Sequence, residues 1–172
     1  MLKGARAGAV GLMLGVAAIV SAHAATDGRD VSAGMLAYEA GEFGRALAIF
    51  RPLVERGDPS AQFMVGAMYF YGRGLDRDDG SAAIMFYKAA AQGNPEGMLA
   101  LGSLLLYGVG LRQDIVKSYM WLSIAGESAN LDVARQAKTL QEHATRLMTT
   151  GEISQAERLA RDFRPRKPRF VR

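Results

Sequence analysis

The stretch AQFMVGAMYFYGRGLDRDDGSAAIMFYKAAAQGN, residues 61–94, decides the fold, because its pattern recurs immediately downstream. The string Tyr-Gly-x-Gly-Leu occupies positions 71–75 and again positions 107–111, which lie 36 residues further along. Matches in the same register are Gly57 with Gly93, Gly66 with Gly102, Asp78 with Asp114, and Ala89 with Ala125. This many matches at one spacing indicate an internal repeat, which is typical of proteins built from stacked structural units.

Each repeat has the pattern of two helices joined by a short turn. Asp58 and Asn94 each precede a proline, as expected for an N-cap residue followed by Pro at the first helical position. Asp78 and Asp114 are predicted to cap the second helices in the same way. Glycine can adopt positive φ, so four glycines are predicted to end the first helices and form the turns: Gly72, Gly74, Gly108 and Gly110.

The spacing of apolar residues predicts eight helices and no strand. The predicted helices lie near 31–40, 43–56, 59–71, 79–92, 95–107, 115–128, 131–147 and 151–163. Gly66 and Gly102 are small residues at positions where two helices must approach closely, and Trp121 is predicted to be buried between hairpins. The expected fold class is therefore all-α, an α-solenoid of stacked antiparallel helical hairpins.

Residues 1–24 have the three parts of a secretory signal peptide. Lys3 and Arg6 form a basic start, an apolar run follows, and Ala22-His23-Ala24 resembles a cleavage site. We expect cleavage after Ala24 and a periplasmic or secreted protein, which must be stabilised without disulfides because the chain has no Cys. The alternative is an uncleaved membrane anchor, although the apolar run is shorter than the roughly 20 residues that a span requires.

Residues 25–163 are predicted to form the solenoid, with hairpins at about 30–57, 58–93, 94–129 and 130–163, and residues 164–172 a basic disordered tail. The chain has 21 basic and 17 acidic residues, but five of the basic residues lie in that tail. The body is mildly acidic, which argues against a nucleic-acid-binding domain. The tail is interpreted either as a solubilising end or as a contact for an anionic membrane surface, a polyanion or an acidic partner.

At 57–129 the sequence resembles the Sel-one-like repeat (SLR) family, a relative of the tetratricopeptide repeats. The similarity lies in the small Ala, Tyr, Gly-x-Gly-hydrophobic, Asp, aromatic-pair and Ala-Ala positions quoted above. Met85 and Val65 replace the family's usual Trp and Leu, and Ala129 replaces the closing Gly. Residues 30–56 look more like a plain tetratricopeptide hairpin. The resemblance implies a superhelix that holds protein partners, regulates envelope signalling in some exported bacterial members, and needs no cofactor.

The leading functional hypothesis is a non-catalytic module that binds a protein or peptide on its concave face. That surface would be lined by the first helix of each hairpin. The candidate contact residues are Phe63, Ala67 and Phe70, with Leu99, Ser103 and Leu106 at the same positions one repeat later. The alternative for each of them is packing against the next hairpin.

The residues argue against an enzyme. After cleavage one histidine would remain, His143, which excludes a metal centre built on a pair of histidines. His143 lies in a polar stretch and is interpreted as a solvated surface residue. The sequence has no Gly-x-Ser-x-Gly or Ser-x-x-Lys motif. Gly72-Arg73-Gly74 follows a predicted helix rather than a strand, so it does not have the context of a phosphate-binding loop.

Overall fold

The chain folds into a row of helices in a computed structural model that describes residues 28–166. Between those residues there are eight helices and no strand. The helices are α1 Gly28–Glu39, α2 Phe43–Glu55, α3 Pro59–Tyr71, α4 Asp79–Ala91, α5 Pro95–Tyr107, α6 Ile115–Ala125, α7 Leu131–Thr145 and α8 Thr150–Asp162. Consecutive helices from α1 to α7 pack against each other. The predicted all-α solenoid of stacked hairpins is confirmed, whereas the predicted signal peptide lies outside the described residues.

The second helices begin at the predicted aspartates. The Asp78 carboxylate accepts hydrogen bonds from the amides of Gly80 and Ser81, at 2.9 and 3.0 Å. Hydrogen bonds from the Ser81 hydroxyl and amide lower the pKa of Asp78, so this cap remains charged at neutral pH. Asp114 accepts from the amide of Lys117 at 2.9 Å and caps α6 in the same manner. Each cap satisfies amides that lack a partner in the first turn of a helix.

The first helices begin at equivalent caps followed by proline. Asp58 accepts from the amide of Ala61 at 2.8 Å, and Asn94 accepts from the amide of Gly97 at 2.6 Å. Both helices end at a glycine with positive φ, which is Gly72 for α3 and Gly108 for α5. Because that conformation is unfavourable for residues with a Cβ, it marks the end of each first helix. The positions predicted from the repeat are therefore confirmed as helix boundaries.

The second glycine of each turn is where one repeat meets the preceding one. A Cβ atom on Gly110, whose φ is 69°, would overlap the backbone of Asp79 at the start of α4. A Cβ on Gly74 would lie 2.9 Å from the Cβ of Phe43, at the start of α2. The turn of each repeat thus packs against the start of the second helix of the preceding hairpin, and only glycine leaves enough room there.

Within each hairpin the two helices approach through a glycine on the first helix. A Cβ on Gly66 would lie 2.7 Å from the Phe86 ring, and one on Gly102 would lie 2.8 Å from the Leu122 side chain. These distances are too short for a real Cβ contact, so the predicted close approach is confirmed. The result is that α3 is buried throughout 61–68 and α5 throughout 96–106. The first helices of the two repeats, α3 and α5, are therefore enclosed by their neighbours.

Arg73 joins the first hairpin to the array. Its guanidinium lies over the rings of Tyr38, Phe43 and Tyr71, at 5.5, 5.7 and 5.2 Å from their centroids. It also donates a hydrogen bond to the Tyr38 hydroxyl at 3.0 Å. Burial of the Tyr71 phenol, with a smaller contribution from Tyr38, raises the pKa of Tyr71 to about 12, although the Arg73 charge opposes this. Arg73 is therefore a structural residue of the turn rather than part of a phosphate site.

The end of the array differs from the predicted fourth hairpin. α8 packs against α6 and makes little backbone contact with α7, the helix that precedes it in the sequence. α6 is also shorter than expected, because it ends at Ala125 and a turn at 126–128 follows. α8 therefore covers an apolar side of α6 instead of closing a hairpin with α7, which removes that side from water.

The inter-repeat contact at Gly110 gives a stability prediction. Gly110→Ala should lower the free energy of unfolding by about 2 kcal/mol or more, because positive φ alone costs roughly 1–2 kcal/mol and the new Cβ also overlaps Asp79. The matched control is Gly151→Ala in α8, where a Cβ meets nothing within 4 Å. Urea titration measures both variants, and equal stabilities would contradict the proposed seating of the turn.

Candidate functional site

The six residues predicted to contact a partner are not on the surface. Phe63, Ala67 and Phe70 on α3 have exposed fractions of 3%, 0% and 4%. Their equivalents on α5 are buried to the same degree: Leu99 3%, Ser103 2% and Leu106 1%. Phe63 packs against Phe86 of α4, with ring centroids 5.7 Å apart.

A partner cannot reach these six side chains while the hairpins remain stacked. The assignment of a contact surface to them is therefore corrected, and the packing alternative accounts for all six. The physical reason is the close approach at Gly66 and Gly102, which brings each first helix deep between its neighbours. An apolar residue at a position expected to face the groove was thus a sign of burial, not of binding.

A cleft of about 680 Å³ opens elsewhere, along the edge of the array where α4, α5, α6 and α8 meet. One wall is the turn between α4 and α5, and the floor is the end of α6 with its following turn. The other wall is α8 and the residues after it. The lining residues are Gly93, Pro95, Met98, Ser123, Ile124, Glu127, Ser128, Glu157, Ala160, Arg161, Phe163, Arg164 and Pro165.

The cleft combines apolar and charged side chains. Met98 is buried and Ile124 and Phe163 are half-buried, so apolar groups are present beside solvent. Glu127 and Glu157 are exposed, and no ion pair involves either carboxylate within the described part of the chain. Arg161 and Arg164 also line the cleft, so its rim carries both signs of charge. An apolar surface with charged groups at its rim suits a peptide segment with an apolar side chain next to a charged one.

Residues 163–166, which we call the C-terminal strap, close one side of the cleft. The Phe163 ring packs edge-on against Trp121 of α6, with centroids 5.1 Å apart. The Arg166 amide donates a hydrogen bond to the Ala91 carbonyl at 2.8 Å. Pro165 lies beside Gly93, within 3.3 Å of where a Cβ would be.

The strap modifies the prediction of a tail at 164–172. The first three residues of the predicted tail, 164–166, belong to the strap. They have a defined course across the ends of α4 and α6, because a backbone hydrogen bond and a proline contact hold them. The Arg164 guanidinium donates to the carbonyls of Arg161 and Phe163, both at 2.7 Å, so it is bonded to its own backbone. Residues 167–172 lie outside the described residues, and for them the tail stays a prediction.

His143 is half-buried rather than fully solvated. Its Nδ1 lies 3.4 Å from the Tyr107 hydroxyl, and burial raises the pKa of that tyrosine. Among residues 28–166 no group of three His, Asp or Glu side chains could hold a metal ion. The same range contains no helix long and apolar enough to cross a membrane. Asp78 and Asp114 are engaged as helix caps.

The family profile described as Sel1 repeat matches residues 59–94 and 95–130, the two units found from the spacing of 36 residues. The crystal structure of a protective antigen of uropathogenic Escherichia coli with an SLR fold has a TM-score of 0.70 to this chain. The two sequences are 26% identical over 78% of this chain and 29% of that protein. The chain contains two Sel1 repeats, over residues 59–130.

A second solved structure, a Sel1 repeat protein from Oxalobacter formigenes, shares the fold with a TM-score of 0.60. It is 22% identical over 79% of this chain and 55% of that protein. The chain therefore spans less than two thirds of either neighbour. The search of curated protein sequences gave no match. Sel1 repeat proteins are generally non-catalytic scaffolds that bind protein partners.

Sequence reasoning missed the cleft and the strap. Phe163 ends the predicted helix 151–163, and its contact with Trp121 spans 42 positions without any repeat to signal it. Trp121 gave no signal either, because Trp is the usual residue of the repeat at this position and Met85 is the departure.

The burial of Phe70, which corrects its predicted contact role, and of Trp121, which was predicted, implies large stability losses. Phe70→Ala and Trp121→Ala should each lower the free energy of unfolding by roughly 3–5 kcal/mol, because each removes a buried aromatic ring. Tyr87→Ala is the matched control, since that ring is 46% exposed on the outer side of α4. Denaturant titration distinguishes them. A Phe70→Ala protein as stable as the control would restore the idea of an open contact surface on α3.

Proposed function

We propose that this Sel1 repeat protein is a non-catalytic scaffold and that it binds a segment of a protein partner in the cleft. The observation that carries the proposal is the combination of the half-buried Ile124 and Phe163 with the carboxylates of Glu127 and Glu157, which have no ion pair within residues 28–166. The general role of Sel1 repeat proteins in binding protein partners supports it. The preferred ligand has an apolar side chain with a lysine or arginine nearby.

The cleft replaces the concave face as the proposed site of recognition. The candidate concave residues are buried, whereas the cleft is open to solvent and still reaches the interior at Met98. A catalytic role has less support, because the one histidine of the described chain contacts a tyrosine and no carboxylate. The second candidate remains the basic tail, which carries Lys167, Arg169 and Arg172 beyond the strap.

Capture of a partner tests the cleft. The full sequence, expressed with a C-terminal affinity tag, is compared with Glu127→Lys and with Glu55→Lys, an exposed control on α2. Reversal of the charge at the cleft should reduce recovery of the partner at least tenfold, because a basic ligand is then repelled. The control should bind like the wild type, and both variants should keep the wild-type melting temperature.

The tail alternative predicts a different pattern. A chain that ends at Arg166 keeps the strap but lacks residues 167–172, and it should lose its partner if the tail recognises it. Binding through the tail should also weaken steeply between low and physiological salt, since exposed charges are screened over roughly 8–10 Å there. Loss of binding by this truncation, with normal binding by Glu127→Lys, would contradict recognition in the cleft.

We also propose that the protein is exported. The support is the basic start, apolar run and Ala-x-Ala site of residues 1–24. Expressed in a bacterial host, the protein should appear in the periplasmic or culture fraction with a new N-terminus at Ala25. Ala24→Asp should block cleavage, because the signal peptidase requires a small residue there. N-terminal sequencing of the fractions checks this, and a cytoplasmic chain that retains Met1 would contradict it.

A further inference from the structure

The strap has the geometry of a peptide bound to a receptor. Its backbone is extended at Phe163, with φ −61° and ψ 133°. An aromatic ring at one end packs against Trp121, a proline lies beside Gly93, and a backbone amide at the other end donates to Ala91. Side-chain anchors combined with a main-chain hydrogen bond are how extended peptides are recognised by folded domains.

Few buried contacts hold the strap in place. Phe163 is half-buried, and Arg164, Pro165 and Arg166 are all exposed. α8 packs against α6 independently of the strap, so release of the strap would leave α8 and the stacked hairpins intact. Segments with few buried contacts open at a lower free energy than the core of the same protein.

Release would uncover an apolar surface that needs another occupant. Trp121 would lose the Phe163 ring that packs on it, and the groove would then be continuous with Met98 and Ile124 in the cleft. The Ala91 carbonyl would again be an available acceptor. Glu127, Glu157 and Arg161 remain at the rim and carry a net negative charge, so the groove favours a segment that carries positive charge.

We infer that the strap is an intramolecular ligand, and that a partner segment with the same chemistry displaces it. That segment is extended, carries an aromatic residue followed after one position by proline, and has basic residues around both. The strap, Phe-Arg-Pro-Arg, is the occupant from which this chemistry is taken. The inference rests on the proposed binding function, and it adds that the chain regulates its own site by competition.

Displacement has a quantitative consequence. A site that is covered for most of the time binds an external ligand with an apparent affinity reduced by the uncovered fraction. The strap is tethered to the site, so its effective concentration is in the millimolar range and it competes strongly. Weakening the strap at an anchor should therefore increase the affinity for a peptide supplied in solution.

The experiment uses the full chain and a synthetic peptide. The probe is Arg-Asp-Phe-Arg-Pro-Arg-Lys, the sequence of residues 161–167 with blocked ends, and its control has Ala in place of Phe. Trp121, the one tryptophan of the chain, reports binding by fluorescence, because the peptide has none. The Phe163→Ala variant should bind the probe at least tenfold more tightly than the wild type, and the control peptide should bind neither.

A second variant keeps the test decisive if Phe163→Ala fails to fold. Arg166→Pro removes the amide that donates to Ala91 and leaves Phe163 in place. It should increase affinity for the probe about fivefold, which corresponds to about 1 kcal/mol for one hydrogen bond. Arg158→Ala, at an exposed position on α8, should leave the affinity at the wild-type value.

Several results would overturn the inference. Equal binding of the probe and its Ala control would mean that charge alone drives association. Equal affinities for the wild type and both strap variants would mean that the strap does not compete. These outcomes are distinct from failure of the proposed function, which is decided by the dependence of natural partner capture on Glu127. If the strap variants bind the probe more tightly but partner capture does not depend on Glu127, the strap is a competitor and the partner is not recognised in the cleft.

Discussion

Contact between the turn of one repeat and the start of the previous second helix is the constraint on which the array depends. At Gly110 the backbone lies so close to Asp79 that no side chain fits, and Gly74 meets Phe43 in the same way. The positive φ of both glycines allows the turn to fold sharply enough to make this contact. The contact sets the spacing between hairpins and so determines how deeply α3 and α5 are enclosed.

Enclosure of the first helices determines where a ligand can bind. In this short array α3 and α5 are in contact with helices on every side, so even Gln62 and Glu96 have exposed fractions of only 5% and 6%. The inner surface is used for stability rather than recognition. Open space remains at the edge, where the turns between hairpins leave a gap that the last helix only partly fills.

The end of the array combines a structural and a functional requirement. A stack of repeats must cover the apolar side of its last unit, and here α8 and the strap cover α6. The strap is held by the Phe163 ring, the contact of Pro165 with Gly93 and one backbone hydrogen bond. Because the strap is weakly held and borders the cleft, we propose that it both covers α6 and regulates binding.

The sequence by itself determined the repeat, the caps and the helix boundaries next to them, because these depend on local chemistry that each unit carries in full. Asp78, Gly72 and their equivalents each act within a few residues of their own position. The burial of Phe63 and Phe70, the packing of Phe163 on Trp121 and the existence of the cleft were decided only by the tertiary structure. They depend on how closely separate hairpins approach and on which surface the final helix covers, and no local pattern encodes either distance.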